Sequence, residues 1–569
     1  MSARILTLAL GLGLLSLIPP GCGGRVVIGD GSDAATTTPS CGAAGGTCAL
    51  GPPTNCARQA PASAQDCNTS GNPGGALCCL QLSGGGAGSA GSGGSAGSGG
   101  GGPGPLQTAA KVDLLFDIDN SASMGDKQAY LAKAVPDLVS RLVQPNCVST
   151  DSKTGVSTVV GRSNNGACTT GTLEFPAVHD MHIGVISSSL GTRGVTGAGT
   201  VCDPTSMTSP FNDPGHHPAI PAHNDDRGEL LNRTSTDVYT ERTSADEGGQ
   251  SFLDWFPTGP GWAVNDGKTP TGGERRALGP PATPIGSASQ LEGDFPALVV
   301  GAHYYGCGIE SQLESWYRFL VQPDPYDSIA IVGALAVWSG VDGTIIKQRH
   351  DFLRPDSVVA IVDLTDENDS EIDVRSFGGQ GYKFMDDSFQ PPRATSQCAA
   401  NPSSSNCTSC AYGGATASDP SCKMGPYTAT DDPGFYINVR HVNMQQKYGI
   451  IPQFPLGRYV LGLTSPNVPD RDHEYPAGAS SYQGGTVYAG TTLKDAYNLN
   501  CTNPLFANTL PDGSDLSPTA LCNQSGAGGV RTAGLVYYAH IGGVPHQLLQ
   551  TVLGKDCPAG ITSQADCPQ

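Results

Sequence analysis

The chain has 569 residues, 51 acidic against 31 basic side chains, and a formal charge of −20, with 78 glycines and 44 prolines but only 14% charged residues. The length allows three or more domains, the glycine and proline content favours long loops over compact helical bundles, and the negative charge argues against a nucleic-acid footprint, which needs a basic patch. Of the 19 cysteines, one stands at the end of the N-terminal apolar run. The rest lack tight metal-ligand spacing and point to disulfides in an oxidising compartment.

The N-terminus, MSARILTLALGLGLLSLIPPGC, carries one arginine and then an apolar run of about fourteen residues, too short to span a bilayer and suited to a secretory signal over residues 1–21. It ends in Gly21-Cys22, which resembles the lipobox of bacterial lipoproteins. That resemblance implies a lipid on Cys22, export across the inner membrane, and anchorage in the outer membrane at the cell surface or toward the periplasm. Residues 22–40 then read as a tether. Cys41, Cys48, Cys56, Cys67, Cys78 and Cys79 crowd residues 41–82 with few large apolar side chains. Disulfides must hold such a segment, since it cannot bury enough surface to fold on a core. A protease-resistant stalk is the ordinary reading, a small binding module the other. Residues 83–106 form a Gly/Ser-rich linker with a root-mean-square span on the order of 25 Å.

The main domain is expected over residues 107–555, with insertions at 145–178, 192–290 and 375–530. Residues 111–124 read KVDLLFDIDNSASM. Val112, Leu114, Phe116 and Ile118 alternate with Asp113, Leu115, Asp117 and Asp119, which is strand spacing. In the turn that follows, Asp119, Ser121 and Ser123 can aim three oxygens into one pocket. Hard oxygen donors suit Mg²⁺, Mn²⁺ or Ca²⁺ and suit zinc poorly. The bland alternative is a polar turn whose serines cap a helix. Tyr130/Leu131, Ala134/Val135, Leu138/Val139 and Leu142/Val143 step by four and predict that helix, with one apolar face.

This order of strand, D-x-S-x-S and amphipathic helix resembles the von Willebrand factor type A domain, and the chain also resembles large secreted lipoproteins of the myxobacterial kind that carry it. The resemblance implies an α/β, doubly wound, mostly parallel sheet with a metal-ion-dependent adhesion site. Ser121 and Ser123 would coordinate the ion directly, Asp119 and Asp366 partly through water. An exposed carboxylate of a protein or glycan partner would complete the shell. Asp366 enters through PDSVVAIVDLTDEND, residues 355–369, where Val358 to Val362 read as a buried parallel strand and Leu364-Thr365-Asp366 resembles the family's third metal loop. The loop before the helix at Gln312 supplies a metal-binding threonine in that family. Here no threonine stands, and Glu310 or Ser311 takes its place.

Other segments fill in the order. Met181 to Ser189 predict a second strand, and Leu313, Trp316, Tyr317 and Leu320 a helix with one core stripe. His216, His217, His223, Asp225 and Asp226 lie among Pro and Gly and read as a solvated loop. Arg458 to Thr464 are helix or strand. Residues 534–545 resemble a late strand of the family, followed by a last helix at 546–550. Cys147 pairs naturally with Cys168, Cys202 with Cys307, and Cys501 with Cys522. Cys398, Cys407, Cys410 and Cys422 suit two disulfides better than zinc, and Cys557 with Cys567 would staple a tail at 556–569.

Asp117 and Asp363 stand where the resemblance expects hydrophobic residues on neighbouring strands. Two carboxyls in a low-dielectric spot imply that one is protonated or that a second cation sits between them; the ordinary reading is that one Asp caps a loop or pairs with a Lys or Arg. No HExxH, G-x-S-x-G or Cys/His pair in a recognisable setting suggests an enzyme. The leading expectation is therefore a metal-dependent adhesion protein. A metal-free scaffold is the alternative, and a metal-dependent hydrolase the weaker one.

Overall fold

The computed structural model describes residues 111–542 apart from 165, 179, 195–201, 204–206, 209–219, 222–223, 233–250, 257–284, 286, 412–417, 475–498 and 525–530, together with three short strands nearer the N-terminus. The expected signal segment, Cys22, the expected tether and linker, His216, His217, His223, the helix expected at 546–550, Cys557 and Cys567 lie outside the described residues. The chain divides into two compact units, Leu10–Gln107 and one holding Thr108–Gln569. In the first, strands Gly46–Ala49, Gln59–Pro61 and Leu77–Leu80 form an antiparallel sheet with Leu77–Leu80 in the middle.

The second unit is α/β. Its main sheet has five strands, β1 (Lys111–Ile118), β2 (Asp180–Ser187), β3 (Phe252–Trp255), β4 (Val358–Leu364) and β5 (Val536–Ile541), in the order β3-β2-β1-β4-β5. β2, β1, β4 and β5 run parallel, and β3 pairs antiparallel with β2. The three central strands are near-continuous apolar runs because both of their faces are covered. Successive side chains of β1 feed opposite layers. Phe116 meets Phe295 of helix α2 edge-on, with ring centroids 4.9 Å apart, while Leu115 joins the core of Trp316, Tyr317, Leu320 and Phe352. On the Phe116 side lie α1 (Gly125–Val143) and α2 (Ala288–Val300), packed on each other; on the other lie α3 (Gln312–Leu320) and α4 (Gly343–Phe352).

Several elements differ from the sequence expectation. α1 buries Leu131, Val135, Leu138, Val139 and Val143, but Tyr130 is 54% exposed, so the apolar face is narrower than the paired steps suggested. The stretch 192–290, expected to be loop-rich, contains β3 and the start of α2. α2 buries Leu291, Phe295, Leu298 and Val299, with the Ser287 hydroxyl accepting a bond from the Gln290 amide at its N-terminus. In α3 the expected stripe of Leu313, Trp316, Tyr317 and Leu320 packs into one core, but the other residues from Glu314 to Leu320 are buried too. The reason is that the 375–530 insertion covers its outer side, where α5 (Leu456–Thr464) sets Tyr459 against Trp316 and Tyr317. Disulfides Cys147–Cys168, Cys202–Cys307, Cys398–Cys407, Cys410–Cys422 and Cys501–Cys522 tie the insertions down.

Candidate metal centre

The parallel strands β1 and β4 end side by side, and the Asp119 amide donates to the Leu364 carbonyl at 2.9 Å. This register brings Asp119-Asn120-Ser121 of one loop against Thr365-Asp366 of the other, beyond the carboxyl ends of the strands, where open α/β sheets place their ligands. Asp119 is fully buried. Its Oδ1 accepts from the Ser121 amide at 2.8 Å and its Oδ2 from the Thr365 hydroxyl at 2.8 Å. The Ser121 and Ser123 hydroxyls lie 3.0 Å apart, and Ser123 donates to Asp366 Oδ1 at 2.9 Å. Asp119, Ser121, Ser123 and Asp366 thus form one continuous chain of oxygens. Asp119 and Ser121 are buried at its inner end; Ser123 is exposed and Asp366 half-buried at its outer end.

Glu310 enters from the loop between α2 and α3. It is 1% exposed, and neither carboxylate oxygen has a hydrogen-bond partner. Burial pushes its pKa up to about 8, and the neighbouring charges of Asp119, Glu367 and Asp366 push in the same direction. Burial also raises Asp119, to about 6, against the opposing hydrogen bonds from Ser121 and Thr365. Ser311 is committed elsewhere: its hydroxyl donates to Glu371 Oε2 at 2.6 Å and accepts from Arg193 at 2.6 Å. Of the two residues left open by the missing threonine, Glu310 is the one with unused oxygens. A buried carboxylate without a partner is costly, so Glu310, Asp119, Asp366 and the two serines fit a hard cation by their chemistry. The carboxylates do not close into a tight cage. Among the described residues, the one trio of His, Cys, Asp or Glu ligand atoms within 4.8 Å of one another is Asp470 with Cys501 and Cys522, whose two sulfurs are already bridged to each other.

The supporting residues have no role in the sequence patterns, although Thr365 and Asn120 stand within them. Thr365 accepts from the Gln312 side chain at 2.7 Å while holding Asp119. Gln128 of α1 donates to the Asp119 carbonyl at 2.9 Å. Asn120 accepts from the Ser189 hydroxyl at 2.7 Å and donates to Asp226 at 3.3 Å, and Asp226 also accepts from Ser187 at 2.5 Å. Asp226 is therefore a brace of the centre and not a residue of a solvated loop, which its Pro/Gly-rich surroundings had suggested. Lys127 places its ammonium 3.0 Å from Asp366 Oδ2 and donates to the Ser123 carbonyl at 2.7 Å.

Asp117 and Asp363 are register partners on β1 and β4, one step inside the centre. Neither a scan against protein-family models nor searches of curated proteins and of solved structures found a match to this chain.

Proposed function

We propose that the strand-end centre binds a divalent cation of the Mg²⁺, Mn²⁺ or Ca²⁺ class and through it an acidic group of a protein or glycan partner, as part of a lipid-anchored cell-envelope protein with a von Willebrand factor type A-like domain. The observation that carries this reading is the unpartnered, buried Glu310 carboxylate beside the chain of oxygens from Asp119 to Asp366. The strand order, with β1 central and β3 antiparallel at one edge, is compatible with it. Asp119, Glu310 and Ser121 would hold the inner side, and Ser123 and Asp366 the side open to a partner. When bound, the ion supplies a Lewis-acidic position whose natural external ligand is a carboxylate. Thr365, Gln128 and the Ser121 amide keep Asp119 aimed.

A metal-free scaffold is the second reading, and Lys127 is the observation that favours it. Its ammonium already neutralises Asp366. Calorimetric titration of Mg²⁺, Mn²⁺ and Ca²⁺ into the full oxidised chain and into Asp119→Ala separates the two. Solvent-exchangeable binding that is lost in the variant supports the adhesion reading, and a chelator should then abolish capture of carboxylate-bearing proteins or glycans. Heat signals that are absent from both proteins would leave the scaffold reading standing.

A further inference from the structure

We propose that a second divalent cation of the same hard class sits buried between Asp117 and Asp363, beneath α3 and independent of the partner-binding centre. The two residues face each other across β1 and β4 in parallel register, so their side chains leave the sheet on one face. That face is the one carrying Leu115 and covered by Trp316. Both side chains are closed off from solvent, at 0% and 1% exposure. Both oxygens of Asp117 and Oδ1 of Asp363 have no hydrogen-bond partner. The other oxygen of Asp363 is taken, accepting from the Tyr538 hydroxyl at 2.6 Å and contacting His540 Nδ1 at 2.8 Å.

The charges around Asp117 make the vacancy of partners more telling. Its strongest electrostatic neighbours, Asp363, Asp369 and Asp119, are all carboxylates, and the Trp316 amide gives a smaller opposing effect. No arginine is among the strongest charges that act on Asp117, and the buried arginines of this side hold other partners: Arg354 holds Asp113 and Asp180, Arg458 Glu314 and Glu474, Arg193 Glu371, Arg318 Asp342, and Arg349 the carbonyls of Arg318, Phe319 and Gln322. An isolated buried carboxylate is strongly disfavoured unless it is paired, protonated or bound to a metal. Three free carboxylate oxygens and a tyrosine hydroxyl outnumber the one imidazole nearby, that of His540, which already contacts the other Asp363 oxygen; an oxygen-dominated set suits Ca²⁺, Mg²⁺ or Mn²⁺ better than zinc or copper.

The test counts ions per chain by elemental analysis, after dialysis of the full oxidised protein against Ca²⁺, Mg²⁺ or Mn²⁺ alone. Wild type should hold two ions, Asp119→Ala one, Asp117→Asn one, and Asp119→Ala/Asp363→Asn none. The melting temperature of Asp119→Ala should also fall on adding chelator, a readout that does not depend on Asp117 variants folding. An Asp119→Ala protein with no ion and a chelator-insensitive melt would overturn the proposal, leaving one proton shared between the two carboxyls. An Asp117→Asn count equal to wild type would overturn it too. Failure of the outer centre alone shows as one ion in wild type that persists in Asp119→Ala, so the two readings fail separately.

Discussion

Glu310 is the side chain through which the outer centre should sense pH. Its ordinary pKa of 4.5 is raised to about 8 by burial first and by Asp119 next. Between those two values the folded chain holds a proton that the unfolded chain has released, so metal-free stability falls as pH rises across that window. Chelated protein should therefore melt at a higher temperature at pH 5 than at pH 8, and added cation should raise the melt more at pH 8. Cation affinity should climb by up to roughly tenfold per unit between pH 6 and 8, because binding displaces the Glu310 proton. Glu310→Gln should flatten that slope near pH 8 and weaken binding. An unchanged slope in the variant would remove Glu310 from the ligand set. Lys127 supplies an opposite lever, since its ammonium competes with a cation for Asp366. Lys127→Met should tighten binding several-fold in direct titration; weaker binding would mean the lysine positions the loop and does not compete. Asp119, Ser121, Ser123 and Asp366 were legible because each follows an apolar strand in a short pattern. The supporting roles of Thr365, Gln128, Asn120, Asp226 and Lys127 were not, since polar residues of these types stand at many turns. Only the register of β1 against β4 reveals what Thr365 holds.

At the scale of elements, the loop between α2 and α3 decides where Glu310 stands. A Cβ on Gly306 would clash with the Asn120 side-chain amide, and the Gly306 amide donates to the Asn120 carbonyl at 2.7 Å. The Cys307 amide donates to Ser189 at 2.8 Å, and the Cys307 sulfur is bridged to Cys202. Gly306→Ala must therefore displace either the Asn120 side chain, which is held by Ser189 and Asp226, or the loop that carries Glu310. The expected result is at least a tenfold loss of cation affinity with the overall fold kept, measured by titration beside circular dichroism. Wild-type affinity in Gly306→Ala would show that the loop does not position the ligand. The strands β1, β2 and β4 could be read directly from sequence, because burial on both faces demands apolar runs. α2 could not, although Leu291, Phe295, Leu298 and Val299 have helical spacing. Pro296 breaks the expected propensity inside it, and the Gly- and Pro-rich residues before it hide its start. β3 is four residues long, with Asp254 in its middle, and draws its strand character from pairing with β2.

For the whole molecule, the long insertion is not an appendage that the sheet could do without. Arg458 of α5 is fully buried, stacks 3.7 Å over the Tyr317 ring, and pairs with Glu314 of α3 and with Glu474. Arg375 binds the same Glu474 and also Asp373. This ion network joins residues from 314 to 474 and explains why α3 is buried on all sides, which a one-stripe reading of its sequence could not foresee. Each charge there is tolerated only because its partners are present; removing one strands the others in a low-dielectric interior. Arg458→Met should accordingly cost about 3–5 kcal/mol of stability, read from denaturant melts. Burial already raises Glu314 to about 7 even with the arginine beside it. Without Arg458 the carboxyl can escape its penalty only by taking a proton, so the cost should be larger at pH 8 than at pH 5. Arg458→Met/Glu314→Gln should recover part of the loss by removing the stranded charge. If the single variant melts like wild type at both pH values, the insertion is held to α3 by its apolar contacts, and the network merely fills the space between them.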